Sequence, residues 1–200
     1  MTIELLDRLR KDTAVYHEQI EGNFYAKGIM AKSLTLNEYR TYLAKFYGFL
    51  KPLEQQAVQH MGKLGSNAGF DMNVRAKSPL LEQDLIHLGM TVEEIHQLPL
   101  CTDLPDISTP ARMYGAFYVI EGSTLGGQII TKQLMKFLPV DPEGGLHYFN
   151  AYGAETRAQW SAFRDLLLQT GVTEEDKENI ISTAKETFRL LDLWLSTHPN

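Results

Sequence analysis

Apolar side chains recur every three or four residues along almost the whole chain, and no segment alternates apolar and polar residues for long. The stripe of the first segment consists of Leu6, Leu9, Thr13, Tyr16 and Ile20, and that of the last of Ile180, Ala184, Phe188, Leu191 and Leu195. This spacing puts apolar groups along one face of an α-helix. Helices striped in this way bury their apolar faces against one another, so the pattern predicts an all-α fold.

Capping residues indicate where several helices begin. A threonine precedes an acidic residue at the capping-box spacing in the pairs Thr35–Glu38, Thr91–Glu94 and Thr173–Asp176. Proline suits the first helical turn, so Ser78-Pro79 and Thr109-Pro110 are expected to begin two more helices.

Glycines and prolines indicate where helices end. Gly62 and Gly65 are expected to close the long second helix. Two later helices are expected at about 111–137 and 152–168, separated by prolines and a Gly-Gly loop. The sequence therefore predicts a single-domain, irregular bundle of about eight helices that spans residues 1–200.

Charge and cysteine content limit the class of protein. A net charge of −6 argues against a nucleic-acid partner, because phosphate binding requires a basic face. The single cysteine, Cys101, allows no internal disulfide and fits a reducing compartment. The longest apolar run, 113–120, ends at Glu121 and is far shorter than the roughly 18 residues of a spanning helix. Since no secretory signal is visible either, we expect a cytoplasmic protein without a membrane partner.

The helix expected at 111–137 contains glycines where helix propensity disfavours them. Gly122, Gly126 and Gly127 each cost roughly 1 kcal/mol relative to alanine in a helix interior. At 100° per residue, Gly115 falls on the same side as Gly122 and Gly126, so this side presents bare backbone. Spacing alone leaves two interpretations open, a close contact between helices and a flat ligand. The neighbouring polar side chains of Ser123, Thr124 and Gln128 favour the ligand.

His17 is the most informative of the six histidines, because it borders the apolar stripe of the first helix. Glu21 lies at i+4, within reach of one imidazole nitrogen, and such a carboxylate strengthens a histidine as a metal ligand. A di-iron bundle is disfavoured, since only Glu93 and His96 form a Glu-x-x-His motif. Cys101 has no evident base near it in sequence, so a thiol nucleophile is also disfavoured.

Two segments together resemble the haem oxygenases, specifically their bacterial biliverdin-producing branch. These are LRKDTAVYHEQIE at 9–21 and YVIEGSTLGGQ at 118–128. The run TEEDKENIISTAKETFRLL at 173–191 also resembles the last helix of that family. The pairing of an N-terminal histidine with a glycine-rich helix about a hundred residues later is specific, and the resemblance covers most of the chain.

The resemblance implies a role for each matching position. His17 corresponds to the proximal ligand of haem iron, and Glu21 to the acidic partner of that histidine. Gly122 and Gly126 correspond to the glycines that lie against the distal face of haem. Gly127, beside them, corresponds to the kink of the distal helix.

Further matches concern the edge of the haem. Arg10 corresponds to a basic residue near that edge, Arg164 to an arginine that pairs with a haem propionate, and Phe188 to an aromatic wall. Some positions depart from the family pattern. Ser123 stands where the animal enzymes carry an aspartate that orders distal water, and Val119 replaces a distal arginine. Near the propionates, Phe117 replaces a tyrosine.

The resemblance implies an enzyme that cleaves haem with O2 and external electrons to biliverdin, carbon monoxide and ferrous iron. Haem is then both substrate and prosthetic group, and the donor is a ferredoxin, a flavodoxin or a reductase. A bilin-binding photoreceptor is a candidate consumer of the product. Two alternatives remain, a non-catalytic haem carrier or sensor on the same fold and a haem-free enzyme similar to the thiaminases, which would use Cys101.

Overall fold

The computed structural model describes residues 2–64 and 70–197, and within these ranges it contains helices and turns but no β-strand. The helices are α1 (Thr2–Glu21), α2 (Phe24–Ala31), α3 (Leu36–Leu64), α4 (Met72–Arg75), α5 (Ser78–His87), α6 (Val92–His96), α7 (Pro110–Leu134), α8 (Thr156–Thr170) and α9 (Glu174–Ser196). A 3₁₀ turn, Gly153–Glu155, precedes α8. The prediction of an all-α fold is confirmed. No helix of the described ranges has the length and apolarity needed to cross a bilayer.

The predicted capping sites at four helices are present. Thr35 and Glu38 make both capping-box hydrogen bonds at α3, and the Thr109 side chain accepts from the Arg112 N–H at α7. Thr91 and Glu94 form a complete capping box at α6, and Thr173 and Asp176 form another at α9. Ser78 behaves differently, because its hydroxyl donates to Glu54 Oε2 at 2.6 Å and Lys77 occupies the N-cap of α5. The expected cap at Ser78 is therefore wrong.

Several boundaries also differ from the prediction. The short α2 was not expected; it begins after Asn23, whose side chain accepts from the Ala26 N–H at 2.9 Å. The single-turn α4 lies in the segment expected to be a loop. The chain leaves α7 at Leu134, and α8 starts only at Thr156 because the 3₁₀ turn occupies the preceding residues. The predicted closure at Gly65 falls outside the described residues.

Helix α7 is the centre of the bundle and packs on α9 and α8, while α1 packs on α9. The five residues of the predicted α9 stripe are all buried. Gly115 explains the close approach of α7 and α9, since a Cβ there would lie within 3.0 Å of the Ile180 carbonyl oxygen. This glycine therefore serves a helix contact, one of the two interpretations that spacing left open.

A buried ionic cluster fastens α7 to the segment around α4. Glu121 is 0% exposed and accepts from Arg75 at 2.6 Å and from Lys77 at 2.9 Å. The Tyr152 hydroxyl donates to the same carboxylate at 3.0 Å and accepts from the Lys77 Nζ at 2.8 Å. Two cations and a phenol thus satisfy the carboxylate that interrupts the apolar run of this helix.

Candidate active site

A cavity of about 690 Å³ lies between α1, α7, α9 and the segment 146–149. Its volume is in the range of small-molecule and cofactor sites, roughly 300–1,000 Å³. Much of its wall is apolar or aromatic and includes Ile20, Tyr42, Phe46, Val119, Ile130, Phe149, Trp160, Phe188 and Leu191. A flat, largely apolar ligand would replace water along these surfaces.

The glycines of α7 divide into two kinds at this cavity. A Cβ on Gly126 would meet nothing within 4 Å, and one on Gly122 would only touch the Trp160 ring at 3.5 Å. A Cβ on Gly127 would instead lie within 3.0 Å of the Phe149 carbonyl oxygen. Gly122 and Gly126 therefore leave open space that a ligand can use, whereas Gly127 permits close packing of two backbone segments.

His17 and Glu21 lie at the mouth of the cavity and line it. The His17 side chain is 56% exposed, and its Nδ1 lies 3.5 Å from Glu21 Oε2. When Nδ1 donates to this carboxylate, the lone pair of Nε2 is available to a metal. The ring also makes an edge contact with Phe188, with 5.8 Å between ring centroids.

The donor set suits a haem iron better than a free metal ion. In the ranges that the structure describes, no group of three or more His, Cys, Asp or Glu side chains is placed to hold an ion. One imidazole would suffice to hold haem, because the macrocycle itself would supply the remaining nitrogen ligands of the iron. His17 lines the same cavity as the exposed backbone of Gly122 and Gly126 and meets this requirement.

A positively charged part of the wall lies around Tyr118. Tyr118 and Arg10 line the cavity, whereas Arg164 does not. Burial raises the pKa of Tyr118, and the Thr13 hydroxyl and both arginines act in the opposite direction, so Arg10 and Arg164 lie near this phenol. The Arg164 Nε is buried without a hydrogen-bond partner among the described residues, and its guanidinium lies 5.9 Å from the Trp160 ring centre. An unpaired cationic donor of this kind suits a carboxylate.

Three further polar side chains line the cavity. One of them was identified from the sequence, and the other two were missed. Ser123 lines the cavity, and its hydroxyl donates to the Ile120 carbonyl at 2.7 Å. Tyr148 and Lys77 line it as well. No local signal could have assigned them, because both come from segments distant in sequence and resemble core or surface residues.

The fold and the cavity define an all-α protein whose site is lined by glycines of one helix and by one histidine. The model of the haem oxygenase family matches residues 3–197, and the chain belongs to that family. A haem oxygenase from Xanthomonas campestris pv. campestris is 31% identical over 150 residues, which are 75% of this chain and 84% of the relative.

Solved structures of three bacterial haem oxygenases share the fold. The enzyme from Leptospira interrogans has a TM-score of 0.76 at 19% identity and covers 96% of this chain and 98% of its own. The NO- and CO-bound enzyme from Neisseria meningitidis has a TM-score of 0.75 at 21% identity, covering 96% and 89%. Haem oxygenase-1 from the cyanobacterium Synechocystis, in complex with haem, has a TM-score of 0.75 at 17% identity, covering 96% and 90%.

Family membership confirms the predicted enzyme class and does not favour the non-catalytic alternative. The roles of the individual site residues and the single-domain boundary at 1–200 stay predictions. The cavity brings together eight of the nine predicted site residues, namely Arg10, His17, Glu21, Gly122, Ser123, Gly126, Gly127 and Phe188. Arg164 does not line the cavity, but its guanidinium lies 5.9 Å from the ring centre of Trp160, which does.

Proposed function

We propose that this protein cleaves haem with O2 and external electrons to biliverdin, carbon monoxide and ferrous iron. The observation that carries the proposal is the cavity itself, where a histidine at the mouth and a strip of bare α7 backbone face the same space. Haem is the substrate, and its iron supplies the activation of O2 beside the ring that is to be opened.

His17 is the residue that would bind the iron, through Nε2. Glu21 Oε2 lies 3.5 Å from Nδ1, and by accepting the Nδ1 proton it would orient the ring and leave Nε2 for the iron. The edge contact with Phe188 limits rotation of the imidazole. Both contacts therefore fix the orientation of the His17 ring before haem enters, which reduces the entropy lost on binding.

The two ends of the cavity would orient the macrocycle. Arg10, which lines the cavity, suits a propionate, because charge-assisted hydrogen bonds to carboxylates are the stronger ones. Arg164 does not line the cavity and would reach a propionate only if its side chain moved towards the ligand. Gly122 and Gly126 would let α7 approach the ring face closely, because neither carries a side chain. A ligand held in this way can be attacked at one edge of the ring in preference to the others.

The electrons would come from a separate protein, a ferredoxin, a flavodoxin or a reductase, since the sequence has no flavin or iron–sulfur motif of its own. A bilin-binding photoreceptor is our candidate consumer of the product. The single cysteine fits a reducing compartment, and we place the protein in the cytoplasm.

Hemin titration with the Soret band as readout tests binding. We expect the wild type to give the spectrum of histidine-ligated haem, and His17→Ala to lose it, with exogenous imidazole restoring it. His96→Ala is a matched control, because His96 is exposed on α6 and does not line the cavity. A wild type that leaves the hemin spectrum unchanged would refute haem binding, and an unchanged His17→Ala spectrum would refute the assignment of the ligand.

Turnover is tested with the same complex after addition of a reductase system and air. We expect the Soret band to decay, a bilin to form and carbon monoxide to be released. A reduced complex that keeps its haem through many equivalents of reductant would make the protein a haem carrier and refute the proposed reaction.

A further inference from the structure

Tyr148 presents a phenol to the cavity that none of the steps above uses. Its side chain lines the cavity and is 8% exposed. The ring packs against Phe46 and Phe149, and the centroid of each of these rings lies 4.9 Å from that of Tyr148. Among the described residues, the hydroxyl makes no hydrogen bond of 3.5 Å or less, and the Ser123 side chain is a hydrogen-bonding neighbour that acts to lower the pKa of the phenol.

The segment that carries Tyr148 is fixed from outside the cavity. The buried carboxylate of Asp84 accepts the backbone N–H groups of His147 and Tyr148, both at 2.8 Å. The next residue, Phe149, packs its carbonyl against Gly127 of α7. The phenol is therefore held in place by the backbone on both sides and does not depend on bound haem for its position.

The hydrogen-bonding roles of Ser123 and Tyr148 are complementary. The proton of the Ser123 hydroxyl is engaged by the Ile120 carbonyl at 2.7 Å, so the oxygen of Ser123 is left to accept. Burial raises the pKa of Tyr148 well above its usual range, with Tyr42 and Glu54 adding to this and Ser123 opposing it. The phenol therefore keeps its proton at neutral pH and is a permanent donor.

We propose that Tyr148 donates a hydrogen bond to the water or diatomic ligand held between α7 and the haem, and that Ser123 accepts beside it. This assigns to a phenol from the segment 146–149 the donor role that a carboxylate after the first distal glycine fills in the animal enzymes. The inference rests on the proposed function, because it requires haem in the cavity. It identifies what compensates for serine at position 123.

Infrared spectroscopy of the CO complex of the reduced haem tests the donor directly. Removing a donor from bound CO raises the C–O stretching frequency, so we expect a higher frequency in Tyr148→Phe than in the wild type. The wild-type band should also shift between H2O and D2O, and this shift should vanish in the variant. Phenylalanine keeps the ring between Phe46 and Phe149, which preserves the packing.

The rate of CO dissociation gives a second, quantitative readout. Loss of one hydrogen bond of ordinary strength should make CO leave roughly 2- to 10-fold faster from Tyr148→Phe. Tyr39→Phe is the control, because Tyr39 donates to the carbonyl of Gly145, directly before the segment 146–149, at 2.6 Å but does not line the cavity. It should leave the CO frequency and the dissociation rate at their wild-type values.

The outcomes separate this inference from the proposed function. Absence of haem binding by the wild type would refute the proposed function. Normal haem binding with the same CO frequency, isotope shift and dissociation rate in Tyr148→Phe and the wild type would overturn the role of Tyr148 alone. Equal changes in Tyr39→Phe and Tyr148→Phe would also overturn it, since the position of the segment and not the phenol would then be responsible.

Discussion

Adjacent glycines of α7 should respond to alanine in opposite directions. Gly126→Ala places a methyl where nothing lies within 4 Å, so the free protein should gain the helix propensity of alanine, about 1 kcal/mol. Gly127→Ala places the same methyl within 3.0 Å of a backbone carbonyl of Phe149. Overpacking against backbone costs about 1–3 kcal/mol, which exceeds the gain in propensity, so this variant should be less stable than the wild type.

Urea denaturation of the haem-free proteins measures both effects. The two variants should differ by about 1–3 kcal/mol in unfolding free energy at equal m-values, with the wild type between them. Hemin titration tests whether position 126 faces the ligand, because the methyl of Gly126→Ala projects into open space beside the cavity. We therefore expect Gly126→Ala, although it is more stable, to bind hemin more weakly than the wild type.

Two results would refute this reasoning. If both alanines stabilised the protein equally, Gly127 would not be in contact with the segment 146–149. If Gly126→Ala bound hemin as tightly as the wild type, the bare backbone at 126 would not face the ligand. Gly115→Ala is a useful reference for the clash, since its Cβ would meet the Ile180 carbonyl away from the cavity.

Two further predictions concern buried carboxylates. Glu121→Ala should lower the free energy of unfolding by about 3–5 kcal/mol in urea denaturation, because it leaves Arg75 and Lys77 buried without their anion. A smaller loss than about 1 kcal/mol would contradict the buried cluster. Burial raises the pKa of Glu54, so the folded state binds its proton more tightly than the unfolded chain and stability should fall as pH rises through that raised pKa. The Ser78 hydroxyl opposes the shift, so Ser78→Ala should move the fall to higher pH, and an unchanged pH profile of unfolding free energy would contradict the prediction.

Local chemistry explains which parts of the fold could be predicted. A capping box uses residues three apart, and the boxes at Thr91 and Thr173 are complete. The stripe of α9 depends on helical spacing alone. By contrast, Ser78 was expected to cap α5, but its hydroxyl binds Glu54, which is 24 residues away in sequence. A competing long-range acceptor of this kind cannot be read from neighbouring residues.

In the candidate site, too, contacts between neighbouring residues could be predicted and contacts between distant residues could not. His17 and Glu21 are one helical turn apart, so their pairing could be predicted from sequence. Tyr148 could not be found in this way, because its position depends on Asp84, which lies 64 residues earlier in sequence. The glycines were identified from their spacing, but only their surroundings reveal that Gly126 faces open space while Gly127 contacts Phe149.

The bare glycine face of α7 and its buried Glu121 explain each other. A helix that presents bare backbone to a cavity gains little packing on that face, so its rotation about its own axis must be fixed elsewhere. Glu121 lies 140° around the helix from Gly126 at 100° per residue, and its carboxylate is held by Arg75, Lys77 and Tyr152. Glu121 is thus a directional anchor on a side of α7 that faces away from the ligand, and Lys77 connects this anchor to the cavity wall. If this is correct, Glu121→Gln, which retains the shape of the side chain, should weaken hemin binding as well as stability, although Glu121 does not itself line the cavity.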